Sequence, residues 1–167
     1  MDRQEALELA MDQLGDRLLR TALLLLRDRR DAEEAVADTF LRYYQSMDQY
    51  RGEASLSTYL TAILINCCRR KARSAWLRRV ILHRDPPQEV PRWEIDQAVE
   101  RVALSQALWS LPPRDREVLL LYYYQDMTTA QVARALGQRE GTVRSRLARA
   151  RDKLRNLLQE GERDERL

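Results

Sequence analysis

The chain has 167 residues, of which 44% are apolar and 33% charged, with a net charge of +3. That length suits one ordinary domain or two small ones, and the scarcity of glycine and proline excludes collagen-like and most turn-dense all-β architectures. A single histidine and two adjacent cysteines, Cys67 and Cys68, exclude a disulfide scaffold, a Cys-x-x-Cys zinc site and most histidine-based catalysis.

The longest apolar run, Thr21 to Leu26, is far short of a membrane span. Met1-Asp2-Arg3-Gln4-Glu5 lacks the basic-then-apolar layout of a signal peptide. A cytoplasmic, all-α protein without membrane insertion is expected. In chain order, Leu7, Met11, Leu14, Leu18, Ala22 and Leu25 recur at the three-or-four spacing of a buried helical stripe over 5–27. Asp31-Ala-Glu-Glu34 reads as a second helix start, with Asp31 capping and Glu34 reaching back. That helix buries Ala32, Ala35, Val36, Phe40 and either Tyr43 or Tyr44. Gly52 breaks the pattern, and Ser55 or Ser57 caps a third helix with the stripe Leu56, Tyr59, Leu60, Ile63, Leu64 and Cys67. Cys67 continues that stripe and so reads as core packing, with redox sensing as the alternative. Pro86, Pro87 and Pro91 cannot lie in helix interiors, because each lacks an amide proton. The expected organisation is therefore a helical unit over 1–79, a linker over 80–93 and a second helical unit over 94–167. In the second unit Ile95, Val99, Val102 and Trp109 mark one helix. Leu111-Pro112-Pro113 ends it and starts the next, which carries Val118, Leu119, Tyr122 and Tyr123.

Charge is unevenly distributed. Residues 61–84 hold Arg69, Arg70, Lys71, Arg73, Arg78, Arg79 and Arg84 and no acidic side chain; residues 128–156 hold eight basic side chains against Glu140 and Asp152. The stretches around them are net acidic. Two separated basic blocks are the electrostatic footprint of a polyanion binder, although basic residues near a helix C-terminus also suit its dipole. The second block has a further property. Thr128 or Thr129 can cap a short helix, Ala133 is small where crossing helices would touch, Gly137 can turn the chain, and Val143 can pack into the angle. This is the steric pattern of a helix-turn-helix. Its second helix would expose Arg144, Arg146, Arg149, Arg151 and Lys153, with Thr142 and Ser145 able to donate to phosphate, and turn Val143, Leu147 and Leu154 inward.

Two strings in order resemble those of the extracytoplasmic-function (ECF) sigma factors of bacterial RNA polymerase, over roughly residues 8–158. Asp31-Ala-Glu-Glu-Ala-Val-Ala-Asp-Thr-Phe-Leu41, Tyr50-Arg-Gly-Glu-Ala-Ser-Leu-Ser-Thr-Tyr-Leu60 and Ile63-Leu-Ile-Asn66 resemble the sigma-two domain. Leu111-Pro-Pro-Arg-Asp-Arg-Glu-Val-Leu-Leu-Leu121 and Gly141-Thr-Val-Arg-Ser-Arg-Leu-Ala-Arg-Ala-Arg151 resemble the sigma-four domain. The resemblance implies that the Asp31–Leu41 helix binds the clamp coiled coil of core polymerase, with Glu33, Glu34, Asp38 and Phe40 as candidates; Phe40 has core packing as its alternative. It implies that the loop from Tyr50 through Arg51 and Gly52 captures a base flipped from the −10 promoter element. Tyr50 and Tyr59 would stack, Asn66 would bond a base edge, and Arg69, Arg70, Lys71 and Arg73 would hold the backbone. Extracting a base costs a few kcal/mol, and an aromatic stack returns about 1–3 kcal/mol. Core packing is the alternative for Tyr59. The second unit would read the −35 element through Thr142, Arg144, Ser145, Arg146, Arg149, Arg151 and Lys153, while 114–125 would face the polymerase flap.

The implied partners are core polymerase, promoter DNA and an anti-sigma protein, with no cofactor, metal or catalytic residue. The chain departs from the usual family pattern at Tyr59, where Trp is usual, at Ala37, where Gln is usual, and at Cys67-Cys68, which replace a polar stretch. A stand-alone helix-turn-helix regulator would account for 128–156 but not for the basic block at 61–84. A nuclease using Asp31, Glu33, Glu34 and Asp38 would need partner carboxylates at a second motif, and none is evident.

Overall fold

The computed structural model describes residues 1–81 and 102–166. The described residues form helices and turns with no strand. The chain divides into two compact units, Met1–Glu89 and Val90–Leu167. The expected linker lies mostly outside the described residues, as do Ile95 and Val99; Val80, placed at its start, is still helical. No helix among the described residues is long and apolar enough to cross a membrane.

The first unit packs three helices against one another, α1 (Arg3–Leu26), α2 (Arg29–Ser46) and α3 (Leu56–Val80). Asp2 and Glu5 close a capping box on α1, and Arg27 ends it in the left-handed region at φ 53°. The second helix begins earlier than expected. Asp28 is its cap, accepting from the Asp31 amide at 2.9 Å. Asp31 sits one turn in and is buried, so the expected Asp31–Glu34 box does not form; Asp28 is the first short polar residue to escape the left-handed turn at Arg27. Ser55 caps α3. The core gathers Leu18, Ala22, Leu24, Ala32, Ala35, Phe40, Tyr43, Leu60, Leu64, Ile65, Cys67 and Cys68. Met11, assigned to the inward stripe, is exposed; Ala10 takes the buried place beside it. Tyr43 is the buried tyrosine of its pair, and Tyr44 lies outside. Both cysteines are reduced and buried.

In the second unit α4 (Val102–Ser110) precedes α5 (Pro113–Leu119), whose first residue is a proline preorganised for helix. The chain then widens into one π-helical turn over Leu120–Tyr124. The helices α6 (Thr129–Leu136) and α7 (Glu140–Glu165) follow. Helix α7 packs against α4, α5 and α6, with Val143 and Ala150 fully buried.

Candidate nucleic-acid interface

The turn between α6 and α7 forms from local chemistry. Thr128 caps α6 and Gln131 returns to the Thr128 amide, closing a capping box. Gly137 takes the left-handed conformation at φ 63°, and the Gln138 amide donates to the Ala133 carbonyl at 2.9 Å. Ala133 and Val143 are both buried where the helices meet. The expected helix-turn-helix is present with each of its three steric residues in its role.

Rotation of α7 sorts the basic side chains. At 3.6 residues per turn, Val143, Leu147, Ala150 and Leu154 make the inward stripe. Arg146 and Lys153 lie along one flank of it, and both reach Asp115 on α5, at 3.5 Å and 2.7 Å. Arg144 and Arg151 lie along the other flank. Arg144 pairs with Glu140 at 2.8 Å, and Arg151 donates to the Tyr123 hydroxyl at 3.1 Å. Thr142, Ser145 and Arg149 point away from the stripe and are exposed. The outermost face of the helix is therefore Thr142, Ser145 and Arg149, and the other four candidates border it while engaged within the unit. Asp115 was invisible as a partner because it lies far from α7 in sequence.

The basic end of α3 is sorted in the same way. Asn66, Arg70 and Arg73, at i, i+4 and i+7, share one exposed face. Lys71 and Arg78 share another, and this face meets the start of α2. Lys71 donates to Glu34, which also pairs with Arg30 at 3.5 Å. Arg78 lies 3.6 Å from Asp31. The Lys71 ammonium, chiefly through its hydrogen bond, holds the Glu34 carboxyl below its ordinary range. Burial pushes the Asp31 carboxyl up, with Asp28 adding to the effect and Arg78 and Lys71 opposing it. Arg69 is half-buried and Arg70 donates to the Cys67 sulfur at 3.7 Å.

The loop before α3 contains Gly52 at φ 72°, with Arg51 and Gly52 exposed. The Tyr50 hydroxyl donates to the Ala54 carbonyl at 2.6 Å. Its ring lies 4.7 Å from that of Tyr59, tilted by 36°. Tyr59 also meets Tyr43 edge-on at 6.4 Å and shares a hydrogen bond with Ser46 at 3.0 Å. Tyr50 and Tyr59 are thus half-buried members of one aromatic cluster beside the loop.

On α2, Glu33 and Asp38 are exposed, and Glu33 pairs with Arg29 at 3.0 Å. Phe40 is a correction. It is 6% exposed and belongs to the core, because the α1–α3 packing takes the side of α2 that carries Ala32, Ala35 and Tyr43. Leu41, one residue on, is 55% exposed on the acidic side and was missed. A leucine one helical turn past Asp38, on the side of the acidic residues, was the available signal. Among the described residues no three His, Cys, Asp or Glu side chains come together to hold a metal ion.

The chain matches Sigma-70 region 2 over residues 10–80 and Sigma-70 region 4 over residues 101–154. It is 32% identical over 155 residues to the RNA polymerase sigma-E factor of Streptomyces avermitilis, covering 90% of this chain and 84% of that one. It is 35% identical over 156 residues to the ECF RNA polymerase sigma factor SigM of Mycobacterium tuberculosis, covering 89% and 77%. Its fold is similar to CnrH, solved in complex with the cytosolic domain of CnrY, at TM-score 0.72 and 24% identity over 93% of this chain and 89% of that one. It is equally similar to RpoE of Bartonella quintana, solved with the anti-sigma factor NepR, at TM-score 0.72 and 23% identity over 89% and 95%. With both sigma regions matched in order, a helix-turn-helix in the second and a basic helix in the first, the chain belongs to the ECF family of RNA polymerase sigma factors.

Proposed function

We propose that the chain seats on core RNA polymerase through the exposed acidic face of α2, with Leu41 as the apolar contact beside Glu33, Glu34 and Asp38. Bound there, it presents two DNA readers. Helix α7 reads the −35 duplex with Thr142, Ser145 and Arg149 outermost, and Arg144 and Arg151 toward phosphates. Residues Tyr50–Gly52 and the Asn66–Arg70–Arg73 face of α3 take up the −10 strand as it opens. The helices at 114–125 serve the polymerase flap. The chain acts by binding and does no covalent chemistry. Contacts available only to unpaired bases favour the open promoter over the closed one, and that differential shifts the equilibrium. The observation that carries this reading is the presence, in one chain, of a helix-turn-helix with Thr142, Ser145 and Arg149 on its outward face and a separate basic helix beside a glycine-turned tyrosine loop.

An anti-sigma protein is part of the same reading. RpoE of Bartonella quintana, a sigma factor of the same fold, was solved with the anti-sigma factor NepR, and CnrH, also of this fold, with the cytosolic domain of CnrY.

Run-off transcription with purified core polymerase on genomic fragments, including the gene's own upstream region, tests the proposal. Discrete transcripts that require both proteins are expected, together with gel shifts that tighten when core enzyme is added. A chain that binds a specific site equally well alone, with no gain from core enzyme, would be a stand-alone regulator and would overturn the reading.

A further inference from the structure

Asp115 is the least exposed carboxylate that meets two cations among the described ion pairs, with its side chain 5% accessible. It stands in the first turn of α5, where the sequence runs Pro112-Pro113-Arg114-Asp115. Its two oxygens are divided between two residues of α7. Oδ2 accepts from the Lys153 ammonium at 2.7 Å, and Oδ1 lies 3.5 Å from the Arg146 guanidinium. Arg146 and Lys153 are seven residues apart, two turns of one helix, and they bracket Ala150, which is fully buried. A carboxylate gripping both ends of a two-turn span, across a contact with no side-chain bulk, opposes rotation of α7 about its own axis. The Arg146 Nε is buried without a hydrogen-bond partner, while its side chain is 28% accessible, so the guanidinium is drawn in against the unit without being fully satisfied. That is the arrangement of a charge recruited to a neighbour, not of one aimed outward.

We infer that Asp115 is a positioning residue for promoter reading: it fixes the rotation of α7 and withholds Arg146 and Lys153 from the DNA backbone. This rests on the proposed role of α7 in reading duplex. Two consequences follow. Arg149, Ser145 and Thr142 are held outermost, where base edges are reached. And the helix engages phosphate with fewer cations than its sequence carries, which limits sequence-independent binding. Each phosphate contact contributes about 0.9 to the slope of log affinity against log salt for duplex DNA. The withheld pair therefore corresponds to a slope difference of up to about 1.8. Over a fourfold rise in salt, each contact changes affinity by about 3.5-fold.

The test uses the full chain and a random-sequence duplex, with binding followed by fluorescence anisotropy across a salt series. Asp115→Asn should bind this duplex more tightly at low salt and steepen the slope by about 1 to 2. The triple variant Asp115→Asn with Arg146→Gln and Lys153→Gln should return to the wild-type slope. Lys153→Gln alone changes an exposed side chain and so tests the inference even if Asp115→Asn does not fold; its slope should equal that of the wild type. In holoenzyme, footprinting on a promoter found by run-off should show Asp115→Asn losing discrimination between the native and a scrambled −35 element. An unchanged slope in folded Asp115→Asn overturns the inference, as does a slope reduced by about 0.9 in Lys153→Gln. If wild-type holoenzyme starts no transcript, the reading of α7 fails instead, and the two failures are distinct.

Discussion

Two glycines of the second unit should respond to the same substitution with opposite sign. Gly137 ends α6 at φ 63°, and Gly141 lies in the first turn of α7; an added Cβ meets nothing within 4 Å at either position. Packing therefore does not decide the outcome, and backbone preference does. At Gly137 an alanine must occupy the left-handed region, which costs about 1–2 kcal/mol. At Gly141 the same alanine loses less conformational entropy on entering a helix than glycine does, a gain of up to about 1 kcal/mol. For a unit of this size, 1 kcal/mol moves the melting temperature by about 4–8 °C. Differential scanning calorimetry of the full chain should show the second unit's transition falling by roughly that amount or twice it in Gly137→Ala and rising by up to that amount in Gly141→Ala. The first unit's transition should stay in place in both. Gly137→Asn should lie between wild type and Gly137→Ala, because asparagine tolerates the left-handed region. If Gly137→Ala is as stable as wild type, or if both alanines shift stability in the same direction, the steric account of the turn is wrong.

Three further outcomes are expected. Leu41→Asp should abolish capture by immobilised core polymerase with thermal stability changed by no more than about 0.5 kcal/mol, whereas Phe40→Ala should cost about 3–5 kcal/mol of stability in urea titrations; equal stability of the two variants would contradict their assignment to surface and core. Arg149→Gln in holoenzyme should relax discrimination between the native and altered −35 base pairs at a cost of about 1–3 kcal/mol, and unchanged discrimination would remove Arg149 from the base-reading face. Asp31 has a folded-state pKa above its unfolded value, so its ionised form weakens the fold, and this penalty is complete above the folded pKa and disappears as pH falls below the unfolded one. Asp31→Asn should therefore gain most over wild type near neutral pH, with the advantage shrinking toward about pH 4; a gap that widens on acidification would reverse the sign.

Much of the fold was legible because it depends on spacing along the chain. Pro112-Pro113 separates α4 from α5, Ser55 caps α3, and Leu60, Leu64 and Cys67 recur at helical intervals whatever they pack against. The errors share a cause. Asp31 and Asp28 are both competent caps, and the left-handed residue at Arg27 settled the choice. Phe40 and Leu41 are adjacent apolar residues on one helix, and the side of α2 that α1 and α3 cover decides which is core.

The helix-turn-helix was set by residues within a short stretch, since Ala133, Gly137 and Val143 meet their steric demands almost without outside help. The number of cations was equally plain from the letters. Their allegiance was not. Lys71 and Arg78 turn to Glu34 and Asp31, Arg146 and Lys153 to Asp115, and Arg151 to Tyr123. Each of these partners is distant in sequence and arrives only when helices pack. A long flexible side chain bonds whichever opposite charge or hydroxyl lies within reach, so the surface left for DNA was decided by tertiary contact.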